Sequence, residues 1–324
     1  MIRWLLRRTL QAAATFAIAV LLLFVLMRLT PGDPLSRLVG DRDVSAAEIQ
    51  QLRQRYGTGE PLLTQLGAFL AGAARGDLGT SIEHYPDRVT ALLAARLPAT
   101  LLLGGVVLFL NFTVGIWLGV RQAVRRGSRF DRWTGRFALA AYAMPGFWLG
   151  LVLVAFLSLR WRLLPSAQMT DPLLPADADA LTRGLDILRH LTLPALTLSL
   201  TSIALTMRHQ RAAMLSVFRL DFVTAARARG LSETQVRWGH AWRNTLVPML
   251  TLLGLWLPVL VSGSVFVESV FNWPGLGSLA AQAIAARDYP VLLGTAMLVS
   301  GAVVLSGLAA DLGYVLVDPR VRPS

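Results

Sequence analysis

Ser262 and Ser264, four histidines and a carboxylate inside an apolar stretch are the residues here whose types could do covalent chemistry. A serine hydrolase needs a base within hydrogen-bond reach of its hydroxyl. His84, His190, His209 and His240 all fall outside the apolar spans described below. An aspartyl mechanism needs two facing acids, and Asp311 is the one carboxylate within a span. The histidines have no metal-ligand spacing such as HExxH, and the absence of cysteine removes thiolate sites and disulfides. All 31 basic residues are arginine. Without a lysine to reach the phosphates, the chain cannot form a P-loop of its own. The sequence therefore predicts no catalytic residue, no metal site and no cofactor held by this chain.

A chemistry of recognition is concentrated instead between residues 208 and 248. Arg208, Arg211, Arg219, Arg227, Arg229, Arg237 and Arg243 make this segment strongly cationic. Phe222, Ala225, Ala226 and Arg229 share one face of a short helix, where small residues permit close approach of another surface. Gly230 suits a helix C-terminal cap, because glycine takes the left-handed conformation at little cost. Ser232 is a good N-cap for a second helix, with Val236, Trp238 or Gly239, and Trp242 supplying apolar contacts. A basic helix lying on anionic headgroups accounts for the arginines, but not for the small-residue pattern or the break at Gly230. A docking surface for a soluble partner accounts for all three.

The elements around this segment are membrane helices. The composition is 54% hydrophobic and 15% charged, with mean hydropathy +0.55, well away from that of a soluble domain. Six windows approach the ~20 apolar residues that a bilayer core requires: Leu10–Met27, Leu97–Val120, Phe137–Leu159, Leu191–Met207, Thr245–Val267 and Pro290–Val317. The fourth is short and carries six hydroxyls (Thr192, Thr197, Ser199, Thr201, Ser202, Thr206). The fold class is thus all-α integral membrane. Arg3, Arg7 and Arg8 before the first window resemble a signal peptide, but no small-x-small cleavage site follows, so an uncleaved helix is expected.

Charge sorting sets the expected orientation. The N-terminus, the 121–136 loop, the 208–243 loop and the C-terminal tail hold most of the arginines. Their only acids are Asp131, Asp221, Glu233 and Asp318. The alternate segments are nearly balanced. Arginine excess on alternate loops puts both termini and the 208–243 loop in the cytoplasm. Topology accounts for the formal charge of +12, and nucleic-acid binding is not needed to explain it.

Residues 30–96 form the longest outside segment. Pro31-Gly32 and Pro34 stop the first helix, and Ser45 with Glu48 reads as a capping box. Leu62, Leu63, Leu66, Phe69 and Leu70 predict an amphipathic helix, and Gly76-Asp77-Leu-Gly79 a turn. Prolines at 98, 145, 194, 248 and 258, with Gly104, Gly105, Gly115, Gly119, Gly254, Gly263, Gly301 and Gly307, predict kinked helices packed closely together. Within the spans, Asn111 is expected to bond across helices. Asp311 either meets interfacial water or serves gating or assembly.

Thr224-Ala-Ala226-x-x-x-Gly230 resembles the EAA loop of permease subunits of ATP-binding-cassette importers. Ala226-Arg-Ala-Arg-Gly-Leu-Ser232, His240-Ala-Trp-Arg-Asn244 and Pro248 are similar to the dipeptide, oligopeptide and nickel branch. So are Leu29-Thr-Pro-Gly-Asp-Pro34, Arg55-Tyr-Gly57 with Pro61-Leu62, Gly76-Asp-Leu-Gly-Thr-Ser81 and Arg96-Leu-Pro-Ala-Thr-Leu101. The same holds for Val267-Glu-Ser-Val-Phe-Asn-Trp-Pro-Gly-Leu-Gly277, Arg287-Asp-Tyr-Pro290 and Asp318-Pro-Arg-Val-Arg322. Departures are Thr224 where the wider superfamily has Glu, Gly239 where Arg is common, and Gly57-Thr-Gly59 for Gly-Leu-Asp.

The resemblance implies a type I importer permease fold with six transmembrane helices and a small extracytoplasmic segment. Residues 1–96 would form the first helix and external segment. Residues 97–317 would form a five-helix core with the coupling loop at 208–247, and 318–324 a cytoplasmic tail. It implies a bacterial inner-membrane location and a path for peptides lined by spans two to five, with no enzymatic activity in this chain. The implied partners are a second permease, two ATPase subunits carrying ATP and magnesium, and an extracytoplasmic solute-binding protein. Asp221, Phe222, Thr224, Ala225, Ala226, Arg229, Gly230 and Leu231 would couple to the ATPase. Nickel chelates, glutathione or oligosaccharides are the alternative cargoes. A secondary transporter would need repeated halves or intramembrane charges that the sequence does not show.

Overall fold

The computed structural model of the protein describes residues 2–29, 50 and 60–317. Among them the regular structure is helical, apart from a single bridge between Thr80 and Arg88. The readings placed on Pro31–Pro34, Ser45, Glu48, Arg55–Gly59 and Asp318–Arg322 lie outside the described residues.

The long apolar helices are α1 (Ile2–Leu29), α3 (Val89–Val124), α6 (Ala180–Val217) and α11 (Tyr289–Val317). Each contains a stretch long and apolar enough to cross a membrane. Several boundaries differ from the sequence expectation. The second span begins at Val89 rather than Leu97, because Pro98 is taken into the helix interior. The fourth window proves to be the middle of a helix of 38 residues. Its hydroxyls are absorbed locally: Thr192, Thr197, Thr201 and Ser202 donate to backbone carbonyls three or four residues earlier. That helix also takes in His190 and His209, and His190 is tied up with Asp186 through Nδ1.

The helix expected over the third window is broken. It consists of α4 (Arg129–Ala143) and α5 (Gly146–Leu153), with a π-helical turn over Val154–Arg160, and it bends by 106°. Pro145 explains the break, since the residue before a proline is driven out of helical geometry. Met144 is extended, at φ −80° and ψ 131°. The helix over the fifth window, α8 (Leu246–Ser262), has 17 residues and stops at Gly263, whose φ is +67°. A hairpin follows: α9 (Val265–Val270), the turn Phe271–Gly275 and α10 (Leu276–Ala286).

Helices α3 and α6 form the axis of the molecule and run side by side in the same direction. Gly115 and Gly119 make this possible. A Cβ on Gly119 would stand 2.6 Å from the Met207 carbonyl oxygen, and one on Gly115 3.0 Å from the Thr206 side chain. Small residues four apart let helix backbones approach. The same seam buries Asn111, Ser199 and Thr206 without protein partners for their side-chain polar atoms. The interhelical bond expected of Asn111 is therefore not formed. Asp311 pairs with Arg8 at 3.3 Å, which joins the beginning of α1 to the end of α11. The predicted amphipathic helix is α2 (Leu62–Ala74), and its Phe69 stacks on Phe24 of α1.

Candidate functional site

The polar island folds as the sequence suggests, with one inversion. Helix α7 (Asp221–Ala228) ends on Arg229 and Gly230, and Gly230 sits at φ +79°. The Gly230 N–H donates to the Arg227 carbonyl at 2.9 Å, and the Leu231 N–H to the Ala226 carbonyl at 3.3 Å. That pair of bonds is a Schellman cap, which satisfies carbonyls a helix end otherwise leaves bare. Ser232 then opens the next turn. Its hydroxyl accepts from the Gln235 N–H, and its own N–H donates back to Gln235 Oε1. This is a capping box with glutamine in third position. A π-helical stretch, Gln235–Ala241, and a last turn at Trp242–Asn244 lead into α8.

One face of this helix–break–helix is sealed into the bundle. Val223 and Ala226 pack with Val236 and Ala241 against Val120 and Ala123 of α3 and Met214 and Val217 of α6. Ala226 is 5% exposed and Val223 fully buried, so Ala226 lies on the anchoring face and not on the outer one. Asp221, Phe222, Thr224, Ala225, Arg229 and Gly230 are exposed, and Leu231 is partly buried against the cluster. Val223 was missed in the sequence. Its signal is the spacing of three to Ala226, which separates an inner pair from the outer residues.

The arginines are less free than their number suggests. Arg211 grips Asp131 with two bonds of 2.8 and 2.9 Å, and the same carboxylate accepts from the Gly127 N–H. That fork ties the first turn of α4 to α6 just ahead of the loop. Arg227 and Arg237 flank Glu233 at 2.8 and 3.5 Å. The bond from Arg227 holds the Glu233 carboxyl below the usual carboxylate range. Gln210 of α6 donates to Thr245 at the head of α8 at 2.9 Å. The island is thus pinned to four helices, and no His, Asp or Glu cluster suited to a metal occurs among the described residues.

At the other end of α3 two further sites come together that the sequence did not join. Asp288 accepts from the Ser81 hydroxyl and from the N–H groups of Ile82, Glu83 and Val291. Glu268, fully buried, accepts from Ser264 and Ser278 N–H. From Thr100 to Val120 the helix rises about 30 Å, close to the thickness of a hydrocarbon core.

Several helices long and apolar enough to cross a membrane, with a fixed, partly exposed helix at one end, define a multi-pass membrane protein. The chain belongs to the binding-protein-dependent transport system inner membrane component family, which matches residues 111–323. Residues 1–104 match the N-terminal part of such a membrane component. It is similar to a peptide permease protein of Brucella suis, 37% identical over 99% of both chains. A dipeptide transport system permease protein of Escherichia coli K12 is 35% identical over 99% of both. An oligopeptide transport system permease protein of Bacillus subtilis is 36% identical over 99% of this chain and 100% of its own.

Proposed function

We propose that this chain is the permease subunit of an ATP-driven importer of peptides. It forms half of the translocation path and is driven by separate ATPase subunits. Full-length similarity to proteins named as peptide, dipeptide and oligopeptide permeases favours peptides over nickel chelates, glutathione or oligosaccharides. The six-span reading takes α1, α3, the bent α4–α5 pair, α6, α8 and α11 as the spans, with both termini and α7 in the cytoplasm. The Arg8–Asp311 pair supports this, since it brings the start of the first helix and the end of the last together on one side.

The observation that carries the coupling role is the two-faced α7. Its inner face is locked to α3 and α6 through Val223 and Ala226, while Phe222, Thr224, Ala225 and Arg229 face outward. An ATPase cleft closing on the outer face would move the two axial helices with it, which is what a lever requires. ATP and magnesium belong to that partner. A second permease would complete the path, and an extracytoplasmic binding protein would deliver cargo at the Ser81–Asp288 end.

The test is reconstitution of the importer in proteoliposomes with its ATPases and binding protein. Di- and oligopeptides are expected to stimulate ATP hydrolysis, and nickel chelates or oligosaccharides are not. Stimulation by a non-peptide solute alone would overturn the cargo assignment. Uptake that persists without any ATPase would overturn the importer itself.

A further inference from the structure

Glu268 has a setting that general packing does not explain. Its Oε1 accepts from the Ser264 N–H at 3.2 Å and its Oε2 from the Ser278 N–H at 2.9 Å. Three glycines clear the space for it: a Cβ on Gly263, Gly275 or Gly277 would stand 2.4, 2.3 or 3.0 Å from a carboxylate oxygen. The bonds that satisfy the charge are therefore internal to the 263–278 hairpin. So is the bond from the Trp273 N–H to the Glu268 carbonyl, at 2.8 Å.

The hairpin's polar contacts with the helical bundle fall on two consecutive residues of α3. The Trp273 indole donates to the Ala99 carbonyl at 2.9 Å, and the Leu276 N–H to Thr100 Oγ1 at 2.7 Å. The Thr100 hydroxyl in turn donates to Glu268 at a long 3.4 Å. These contacts lie directly after Pro98, which lacks the N–H that would hold the preceding turn of α3. Pro98 also separates two packing blocks. Val89 and Leu93 pack with Leu276 and Leu279 of α10, whereas Ala99, Leu103 and Val107 pack with Leu191 and Ala195 of α6 and take in Trp273 of the hairpin turn. Next to these contacts lies a cavity of about 110 Å³ between α3, α6 and α8, lined by Leu103, Val107, Leu198 and Trp256 and, from the hairpin, Ser264 and Glu268.

We propose that the Gly263–Ser278 hairpin is the gate at the extracytoplasmic mouth of the path, and that Glu268 is the positioning residue that latches it to Thr100. The proposal rests on the importer reading given above. A buried carboxylate torn from its donors is costly, but here the two shorter donor bonds travel with the hairpin. Opening at Pro98 breaks the long Thr100–Glu268 bond together with the Trp273–Ala99 and Leu276–Thr100 bonds, and leaves the carboxylate its two backbone donors. The latch is thereby built to be released, and the cavity beside it becomes continuous with the outside.

The test uses the complete importer in proteoliposomes, with basal ATP hydrolysis per assembled complex measured in the absence of binding protein and peptide. Thr100→Val keeps the side-chain shape and removes both hydroxyl bonds. It is expected to raise this basal rate about fivefold or more, with Thr100→Ser restoring the wild-type rate. Glu268→Gln should act in the same direction where it assembles. If Thr100→Val lowers assembly or thermal stability while leaving the basal rate per complex unchanged, the hydroxyl is merely structural and the latch is wrong. This readout needs no cargo, so a failure of the peptide assignment would show separately, as a wild-type complex that no peptide stimulates.

Discussion

The Ser81 hydroxyl donates to the Asp288 carboxylate across 207 positions of sequence, and it also accepts from the His84 N–H at 2.8 Å. Two short stretches, Gly76–Ser81 and Arg287–Pro290, thus form one clasp between the segment leading into α3 and the start of α11. Asp288 spends its other lone pairs on the Ile82, Glu83 and Val291 amides. Ser81→Ala leaves those amide bonds in place and costs about 1–3 kcal/mol, the usual loss for one hydrogen bond to a buried charged group. Thermal unfolding in detergent measures it. A variant as stable as the wild type would mean that the amides alone hold the clasp.

The Arg211–Asp131 fork supports a second prediction. Arg211→Met strands a nearly buried carboxylate, and about 2–4 kcal/mol should be lost. That is less than for a wholly buried pair, because Arg211 is itself a third exposed. Arg211→Lys should recover only part, since an ammonium cannot match the two-point grip. Equal stability of the Met and Lys variants would rule out the fork geometry as the source.

Gly230 has open space around it, so its constraint is conformational alone: at φ +79° a side chain is strained wherever it points. Gly230→Leu is expected to insert and assemble, to lose about 1–2 kcal/mol locally, and to reduce peptide uptake far more than ATP binding by the partner. Uptake assays beside assembly yields check this. Normal uptake by the variant would sink the lever.

Glu233 lies between Arg227 and Arg237 with half its side chain exposed. Its folded-state pKa is depressed. Its contribution is therefore present above the ordinary glutamate pKa and lost as pH falls through the lowered one. Glu233→Gln should change the melting temperature only slightly at neutral pH, by an amount that shrinks with added salt. A large, salt-independent shift would contradict an exposed pair.

What the sequence conveyed depended on how local the cause was. Gly230 and Ser232 announce their caps because a Schellman turn and a capping box are each written within a few residues. The arginine excess marked one end of the bundle, and the Arg8–Asp311 pair joins helices there. Hydropathy located every long helix but misjudged α6, where a polar stretch is neutralised by hydroxyls turned onto their own backbone. It also drew one straight span through Pro145, where the chain bends. Glu268, Asp288 and the Arg211–Asp131 fork were not legible. Arg211 and Ser81 lie 80 and 207 positions from their carboxylates, and even for Glu268, whose donors are close in sequence, nothing in a run of amino acids says which amides will converge on a carboxylate.

Helices α3 and α6 have 36 and 38 residues, so each is roughly 55 Å long. A bilayer with its headgroups measures about 40–45 Å, and a modest tilt shortens such rods by only a few ångströms. Part of each must project into water. Because α7 is fastened to both rods through Val120, Met214 and Val217, its height along them is fixed, and a push on it cannot move one rod without the other.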